Sequence, residues 1–173
     1  MTGFGKKSNS KTKKASNKKT KLSKEEIINK AFKFQSQGNI SEAVKYYQYL
    51  INQGFKDHRV FLNYGIILKN LGKLQEAEIS LRKAIKIKPY YAKAYYNLGN
   101  ILIDLWKLQD AEVSLRKAIE IKPDYVEAYY NLGKILRILG KLEEAKLCSE
   151  KIISKRSWSI LGSYSFNREM KLD

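Results

Sequence analysis

Asparagine recurs in this sequence at a fixed interval, and its amide is the side chain whose chemistry stands out first. Four asparagines are separated by 34 residues each: Asn29, Asn63, Asn97 and Asn131. An asparagine side chain offers two N–H donors and one carbonyl acceptor. A row of such amides could hydrogen-bond the backbone of an extended peptide without demanding much of its side chains. The alternative, which the sequence leaves open, is that each amide only stabilises neighbouring helices.

Residues that could build a catalytic or metal site are scarce. The 173-residue chain has one cysteine, Cys148, and one histidine, His58. A single cysteine excludes an intramolecular disulfide and a cysteine-based zinc cluster. None of the glycine patterns of nucleotide-binding loops or nucleophile elbows is present. We expect Cys148 to be a small core residue and His58 a turn or surface residue, so the sequence predicts no enzyme, no metal and no cofactor.

The asparagines belong to an internal repeat. Residues 73–91 read KLQEAEISLRKAIKIKPYY and residues 107–125 read KLQDAEVSLRKAIEIKPDY, with fifteen of 19 positions identical. The same interval predicts four units, at 24–57, 58–91, 92–125 and 126–159.

Each unit is predicted to form two helices. In the third unit Tyr95, Leu98 and Leu102 recur at helical spacing. Pro89 and Pro123 follow the second helices of the two middle units, where a proline cannot continue a helix. One such pair cannot bury its apolar face alone, so successive pairs must stack into a solenoid.

Small residues recur where neighbouring helices must approach closely. A glycine in the middle of a helix costs about 1 kcal/mol relative to alanine. Its recurrence on three first helices therefore predicts a neighbour too close for a side chain. The structural positions of the repeat are Gly65, Ala77, Pro89, Gly99, Ala111, Pro123, Gly133 and Ala145.

Trp106 interrupts the pattern of turns between first and second helices. Three units end the first helix with glycine, which suits a left-handed backbone. The third unit has Trp106 there, and a left-handed backbone at tryptophan would cost about 1–2 kcal/mol. We therefore expect this turn to shift, and we interpret Trp106 as tolerated drift, with a partner contact as the alternative.

In this arrangement the sequence resembles the tetratricopeptide repeat family. The family's pattern runs from an aromatic residue through Leu-Gly, alanine and an apolar residue to proline within 34 residues. The third unit matches it in order at Tyr95, Leu98, Gly99, Ala111, Leu115, Ala118 and Pro123. The resemblance covers about residues 24–159 and implies an all-α fold, a right-handed α-solenoid of four helix-turn-helix repeats.

The first and last units depart from the family pattern. The first unit has Phe55 in place of the final proline, and the fourth loses the pattern after Ala145. Terminal repeats are usually atypical because they cap the stack. These departures favour the predicted boundaries.

The resemblance implies that the first helices line a concave face on which a protein or peptide partner binds. The four asparagines would then form a ladder similar to that in the superhelical repeats of O-linked N-acetylglucosamine transferases. Aromatic and basic residues would share the face and favour acidic or aromatic segments, although the basic ones are equally well explained as a solvated face. The residues predicted for this face are Asn29, Asn63, Asn97, Asn100, Asn131, Tyr96, Tyr130, Arg59, Lys69, Lys93, Lys134 and Arg137.

One family-specific mode of binding is not matched. Some chaperone-binding members hold a partner's C-terminal carboxylate with a clamp of lysine and asparagine. Leu62 and Ile66 stand at two of the required places in the second unit, and Glu127 and Asn131 stand where basic residues belong in the fourth. We therefore do not expect chaperone-tail binding.

The formal net charge of +17 is unevenly distributed. Residues 1–23 are rich in lysine and almost free of apolar residues, so a disordered tail is predicted. A solubilising role is the simplest interpretation, and nucleic acid or anionic lipid are the alternative partners. Residues 160–173 are predicted to be a C-terminal cap or a stub leading to a further domain. No apolar run reaches the length of a transmembrane helix and no secretory signal is recognisable, so a cytoplasmic location is expected.

These observations favour a non-catalytic scaffold for protein–protein interaction that binds an extended peptide on its concave face. One alternative is a substrate-presenting module, or truncated remnant, of a repeat-containing glycosyl- or sulfo-transferase. A second alternative is association with nucleic acid through the basic tail.

Overall fold

The computed structural model describes residues 22–154, and that part of the chain is entirely α-helical between its turns. Seven complete helices are α1 Lys24–Ser36, α2 Ile40–Asn52, α3 His58–Asn70, α4 Leu74–Ile87, α5 Ala92–Asp104, α6 Leu108–Ile121 and α7 Val126–Ile138. An eighth, α8, occupies residues 142–154 at the end of the described range. The helices form an all-α solenoid in which α1, α3, α5 and α7 are the first helices of the four units.

The start of α1 is fixed by a reciprocal pair of hydrogen bonds. The backbone N–H of Glu26 donates to the side chain of Ser23 at 3.2 Å, and the backbone N–H of Ser23 donates to the carboxylate of Glu26 at 2.7 Å. Such a capping box satisfies two donors that have no partner within the helix. α1 therefore begins at Lys24, immediately after the lysine-rich segment.

The turn at Trp106 does not shift, and that prediction was wrong. Trp106 has a φ of 57°, close to the 74° of the glycines at the same place in the three other units. Its N–H donates to the carbonyl of Ile103 at 2.9 Å, and Lys107 donates to Leu102 at 2.8 Å. These two bonds satisfy the last carbonyls of α5. Since the indole is 78% exposed, backbone hydrogen bonding and the stacking of the helices hold this conformation.

The helical glycines allow first and second helices of one unit to touch. A Cβ atom placed on Gly99 would lie 2.7 Å from Cγ of Leu115. The equivalent distance from Gly65 to Cγ of Leu81 is 3.0 Å. Gly133 is less crowded, with its nearest contact 3.4 Å away at Cβ of Cys148.

Successive units are joined by a periodic ion pair. Lys107 donates to Glu78 at 2.8 Å, and Lys141, 34 residues later, donates to Glu112 at 2.8 Å. Both carboxylates are largely buried and each also pairs with an arginine one turn along its own helix. The same relation therefore holds at two successive junctions of the stack.

Among α3 to α7, the first helices lie closer to one another than the second helices do. α3 contacts α5 and α5 contacts α7, whereas α4 and α6 have no comparable contact. Such a stack curves toward its first helices, because small rotations between units accumulate along a solenoid. The first helices therefore line the inner side.

The apolar core is divided at the junction between the first two units. One cluster lies within the first unit and reaches α3, around Tyr47 and Leu50, while the other runs continuously through the second, third and fourth units. Ile51 and Tyr64 border both clusters. Among the helices of residues 22–154, none is long and apolar enough to cross a bilayer.

Candidate functional site

The four periodic asparagines occupy the same place on successive first helices. Each is the sixth residue of its helix: Asn29 on α1, Asn63 on α3, Asn97 on α5 and Asn131 on α7. Asn29 is exposed and the other three are half-buried. We call the exposed side of the first helices that carries these four residues the inner face.

The amides of the inner face are not equivalent. The side-chain amide of Asn131 donates to the side-chain oxygen of Asn100 at 2.7 Å and so joins α7 to α5. The amide of Asn97 donates to the backbone carbonyl of Lys93 in its own helix at 2.7 Å. Asn29 and Asn63 make no side-chain hydrogen bond to another described residue. Asn97 and Asn131 therefore make hydrogen bonds within the protein, whereas the amides of Asn29 and Asn63 are open.

Two of these amides keep bonding capacity for a partner despite their mutual bond. Asn131 retains its carbonyl oxygen, and Asn100 retains its N–H donors. An extended peptide backbone presents alternating N–H and C=O groups that match such a pair. The pair could thus both stabilise the stack and bind a peptide.

The two tyrosines predicted for this face differ in their surroundings. Tyr96 packs against Tyr125 with ring centroids 4.8 Å apart, and burial raises the pKa of Tyr125 to about 12. Tyr130 is 60% exposed, and Nζ of Lys134 lies 5.8 Å from the centre of its ring. Of these two tyrosines, Tyr130 is therefore the one that offers an open aromatic surface.

Two of the predicted cations already have partners within the protein. Arg59 pairs with Asp57 at 2.7 Å and with Glu25 at 2.9 Å, and its hydrogen bonds to Asp57 and then Glu25 raise its pKa above the ordinary value. Lys69 lies 3.3 Å from Asp104. Sequence reasoning missed these pairs, although Glu25 and Arg59 occupy the same place in successive units and carry opposite charge.

The remaining predicted cations lie without a carboxylate partner in the part of the chain that the structure describes. They are Lys93 on α5, and Lys134 and Arg137 on α7. Tyr130, Lys134 and Arg137 share one side of α7, since residues three and four apart on a helix are neighbours. The unpaired positive charge predicted for the inner face is therefore concentrated on the third and fourth units.

Among residues 22–154, the one cysteine and the one histidine are both at least half-buried. Cys148 is 6% exposed, and burial raises its pKa, which disfavours the reactive thiolate. His58 begins α3 and is half-buried, with its ring edge-on to Tyr91 at 5.0 Å. No group of three or more possible metal ligands occurs in this range.

Some predictions fall on residues that the structure does not describe. All but the last two residues of the predicted lysine-rich tail lie outside the described residues, and so does the predicted cap or stub at 160–173.

Comparison with known sequences identifies the repeats. A profile described as TPR repeat matches residues 65–105 and 99–137, and one described as Tetratricopeptide repeat matches residues 126–154. Together they span more than half of the chain. No curated protein matches the sequence.

Solved structures agree with this assignment. MamA superposes with a TM-score of 0.69 at 27% identity, over 73% of this chain and 74% of MamA. The first TPR of Spaghetti (RPAP3), bound to the HSP90 peptide SRMEEVD, gives a TM-score of 0.63 at 26% identity, over 66% of this chain and 90% of that one. The O-GlcNAc transferase of Thermobaculum terrenum gives 0.59 at 24% identity, over 64% of this chain but only 21% of the enzyme, and shows the fold alone. The chain belongs to the tetratricopeptide repeat family.

Proposed function

We propose that this protein is a non-catalytic interaction scaffold that holds an extended peptide segment of a protein partner on its inner face. The observation that carries the proposal is the hydrogen-bonded Asn100–Asn131 pair, which keeps donors and an acceptor beside the unpaired Lys93, Lys134 and Arg137. The amides would bind the peptide backbone, and the cations would favour acidic side chains.

The likeness to the peptide-bound RPAP3 repeat supports a peptide as the class of ligand. It does not transfer the identity of that peptide. Leu62 is buried and Ile66 is half-buried on α3, at two places where the resemblance requires polar clamp residues. The proposed partner segment is therefore held along its backbone rather than by its terminal carboxylate.

The proposal can be tested by selecting extended peptides on the full chain from a random displayed library and then measuring their affinity for variants. The informative variant replaces Asn63, Asn100 and Asn131 together by alanine. Three lost hydrogen bonds of about 0.5–1.5 kcal/mol each predict at least about tenfold weaker binding.

Asn52→Ala is the matched control, because Asn52 is exposed at the end of a second helix. Thermal melts of all variants are needed, since the triple variant also removes the bond between α5 and α7. Selected peptides that bind the folded triple variant as tightly as the wild type would refute the role of the inner face.

A further inference from the structure

A second groove opens at the junction of the first two units, away from the inner face. It has a volume of about 530 Å³, within the range of ligand-binding clefts. The end of α2, the turn that follows it, α3 and α4 form its walls. Its apolar floor is formed by Phe55, Phe61 and Ile87. Its charged rim is formed by Lys56, Lys83 and Lys86.

The charge of this groove has one sign and is uncompensated. No aspartate or glutamate lines it, and none of its three lysines forms an ion pair with another residue of the described chain. Lys83 instead lies with Nζ 5.8 Å from the centre of the Phe61 ring. The groove therefore combines an apolar floor with three available positive charges.

The groove one unit further along provides an internal comparison. Four cations of α4 and α6 line it, and all but Lys86, which the two grooves share, have a carboxylate partner. Lys117 there lies 2.6 Å from Glu120. Lys83 is the equivalent of Lys117, but the equivalent of Glu120 is Lys86. This one of the four differences between two nearly identical segments therefore leaves Lys83 without the carboxylate that pairs with Lys117.

The second departure at this junction shapes the floor. Phe55 stands where the second and third units have a proline, and the chain reaches it through Gly54, whose φ is 73°. The N–H of Phe55 donates to the carbonyl of Leu50 at 3.1 Å, so the turn is held against the end of α2. The benzyl side chain thereby contributes to the groove in place of a pyrrolidine ring.

We propose that this groove is a second binding site, which takes an acidic peptide segment of a protein partner with an apolar anchor residue. The anchor occupies the floor lined by Phe55, Phe61 and Ile87. The carboxylates on either side of it pair with Lys56, Lys83 and Lys86. This site is independent of the inner face, because none of its lining residues belongs to the asparagine ladder.

Two other occupants fit the groove less well. The chain's own residues 1–21 contain eight lysines and no acid, so a basic groove repels them. Nucleic acid would need aromatic faces on which bases stack. Nζ of Lys24 lies 4.5 Å from the centre of the Phe55 ring and Phe61 is 8% exposed, so neither ring is a free stacking platform.

The test uses the full chain and a fluorescein-labelled peptide in which glutamates flank a Leu-Phe pair. Binding to the wild type should be saturable and should shift the backbone amide resonances of Gly54 and Phe55. Lys86→Glu installs the residue that the third unit carries. It removes the ion pair of Lys86 and, by pairing with Lys83 as Glu120 pairs with Lys117, a second one, so binding should weaken about tenfold. Lys56→Glu should weaken it as well.

Lys146→Glu is the control, because it makes the same charge change at an exposed lysine of α8 that belongs to neither binding site. Lys134→Glu makes that change on the inner face and reports binding there. A peptide with serines in place of Leu-Phe should bind at least tenfold more weakly, since burial of the anchor is lost. Binding that is unchanged by Lys86→Glu, or is lost with Lys134→Glu or Lys146→Glu, would overturn the proposal. So would an oligouridylate that binds the groove and displaces the peptide at equal concentration.

Discussion

Adding one methyl group at the helical glycines should have opposite effects in the third and fourth units. In Gly99→Ala the new Cβ would lie 2.7 Å from Cγ and 2.9 Å from Cδ2 of Leu115, which is fully buried. Overpacking of a core costs about 1–3 kcal/mol, and this contact belongs at the upper end. Alanine returns about 1 kcal/mol of helix propensity. The net loss should be about 2 kcal/mol.

Gly133→Ala is the matched control. Its Cβ would meet only Cβ of Cys148 at 3.4 Å and the carbonyl of Ala145 at 3.7 Å, which are ordinary contacts. The fourth unit has Ser149 where the second and third have the crowding leucine. The gain in helix propensity of about 1 kcal/mol should therefore prevail, so this variant should be at least as stable as the wild type.

Thermal melts followed by circular dichroism test the pair. A loss of about 2 kcal/mol predicts a fall in Tm of about 4–8 °C for Gly99→Ala in a chain of this size. Gly65→Ala, with its Cβ 3.0 Å from Cγ of Leu81, should fall between the two. Melting temperatures in any other order would refute the view that contact with this leucine fixes these glycines.

Two further predictions concern a turn and a junction between units. Trp106→Gly removes the strain of about 1–2 kcal/mol that a left-handed backbone causes at tryptophan. It also increases the conformational entropy that the chain loses on folding, which offsets part of this gain. A rise in the unfolding midpoint worth about 0.5–1 kcal/mol is expected in urea, whereas Gly72→Ala should lower stability at the same place in the second unit. The hydrogen bond from Lys107 holds the pKa of Glu78 below its ordinary value of 4.5. Its contribution to stability is therefore complete above about pH 4.5 and is lost as the pH falls below that value. Glu78→Gln should lower the free energy of unfolding at neutral pH and make it depend less on pH in the acid range. If the unfolding free energies of the variant and the wild type fall equally as the pH is lowered, this prediction is contradicted.

The arrangement of helices follows from the sequence because it depends on periodicity. Recurring apolar positions, turn glycines and prolines each specify a local structure, and repetition makes them mutually consistent. The close approach at Gly99 also follows, since a residue unfavourable in a helix recurs only where something else requires it. The same reasoning failed at Trp106, where local preference was weighed alone and the hydrogen bonds that end α5 proved stronger.

Side-chain partnerships were less predictable. The period of 34 residues places the four asparagines at equivalent positions in successive units. Their hydrogen bonds nevertheless depend on neighbouring residues that differ from one unit to the next. Asn131 bonds to Asn100 because the third unit has a second asparagine one turn later, where Lys134 stands in the fourth. The second groove was missed for a related reason. The difference between Lys86 and Glu120 matters because Glu120 pairs with Lys117, and this pairing is known only from the structure.

The periodic ion pairs between units bear on how such an array can lengthen. Glu78–Lys107 and Glu112–Lys141 are one contact repeated with a shift of 34 residues. A tandem duplication of residues 92–125 would give the inserted copy both halves of this contact, so growth in the interior needs no new interface. The first unit has Val44 at the glutamate position, so a copy of it placed inside the array would break the pairing. Lengthening by gene duplication is therefore favoured from the interior units, with the first unit retained as the beginning of the array.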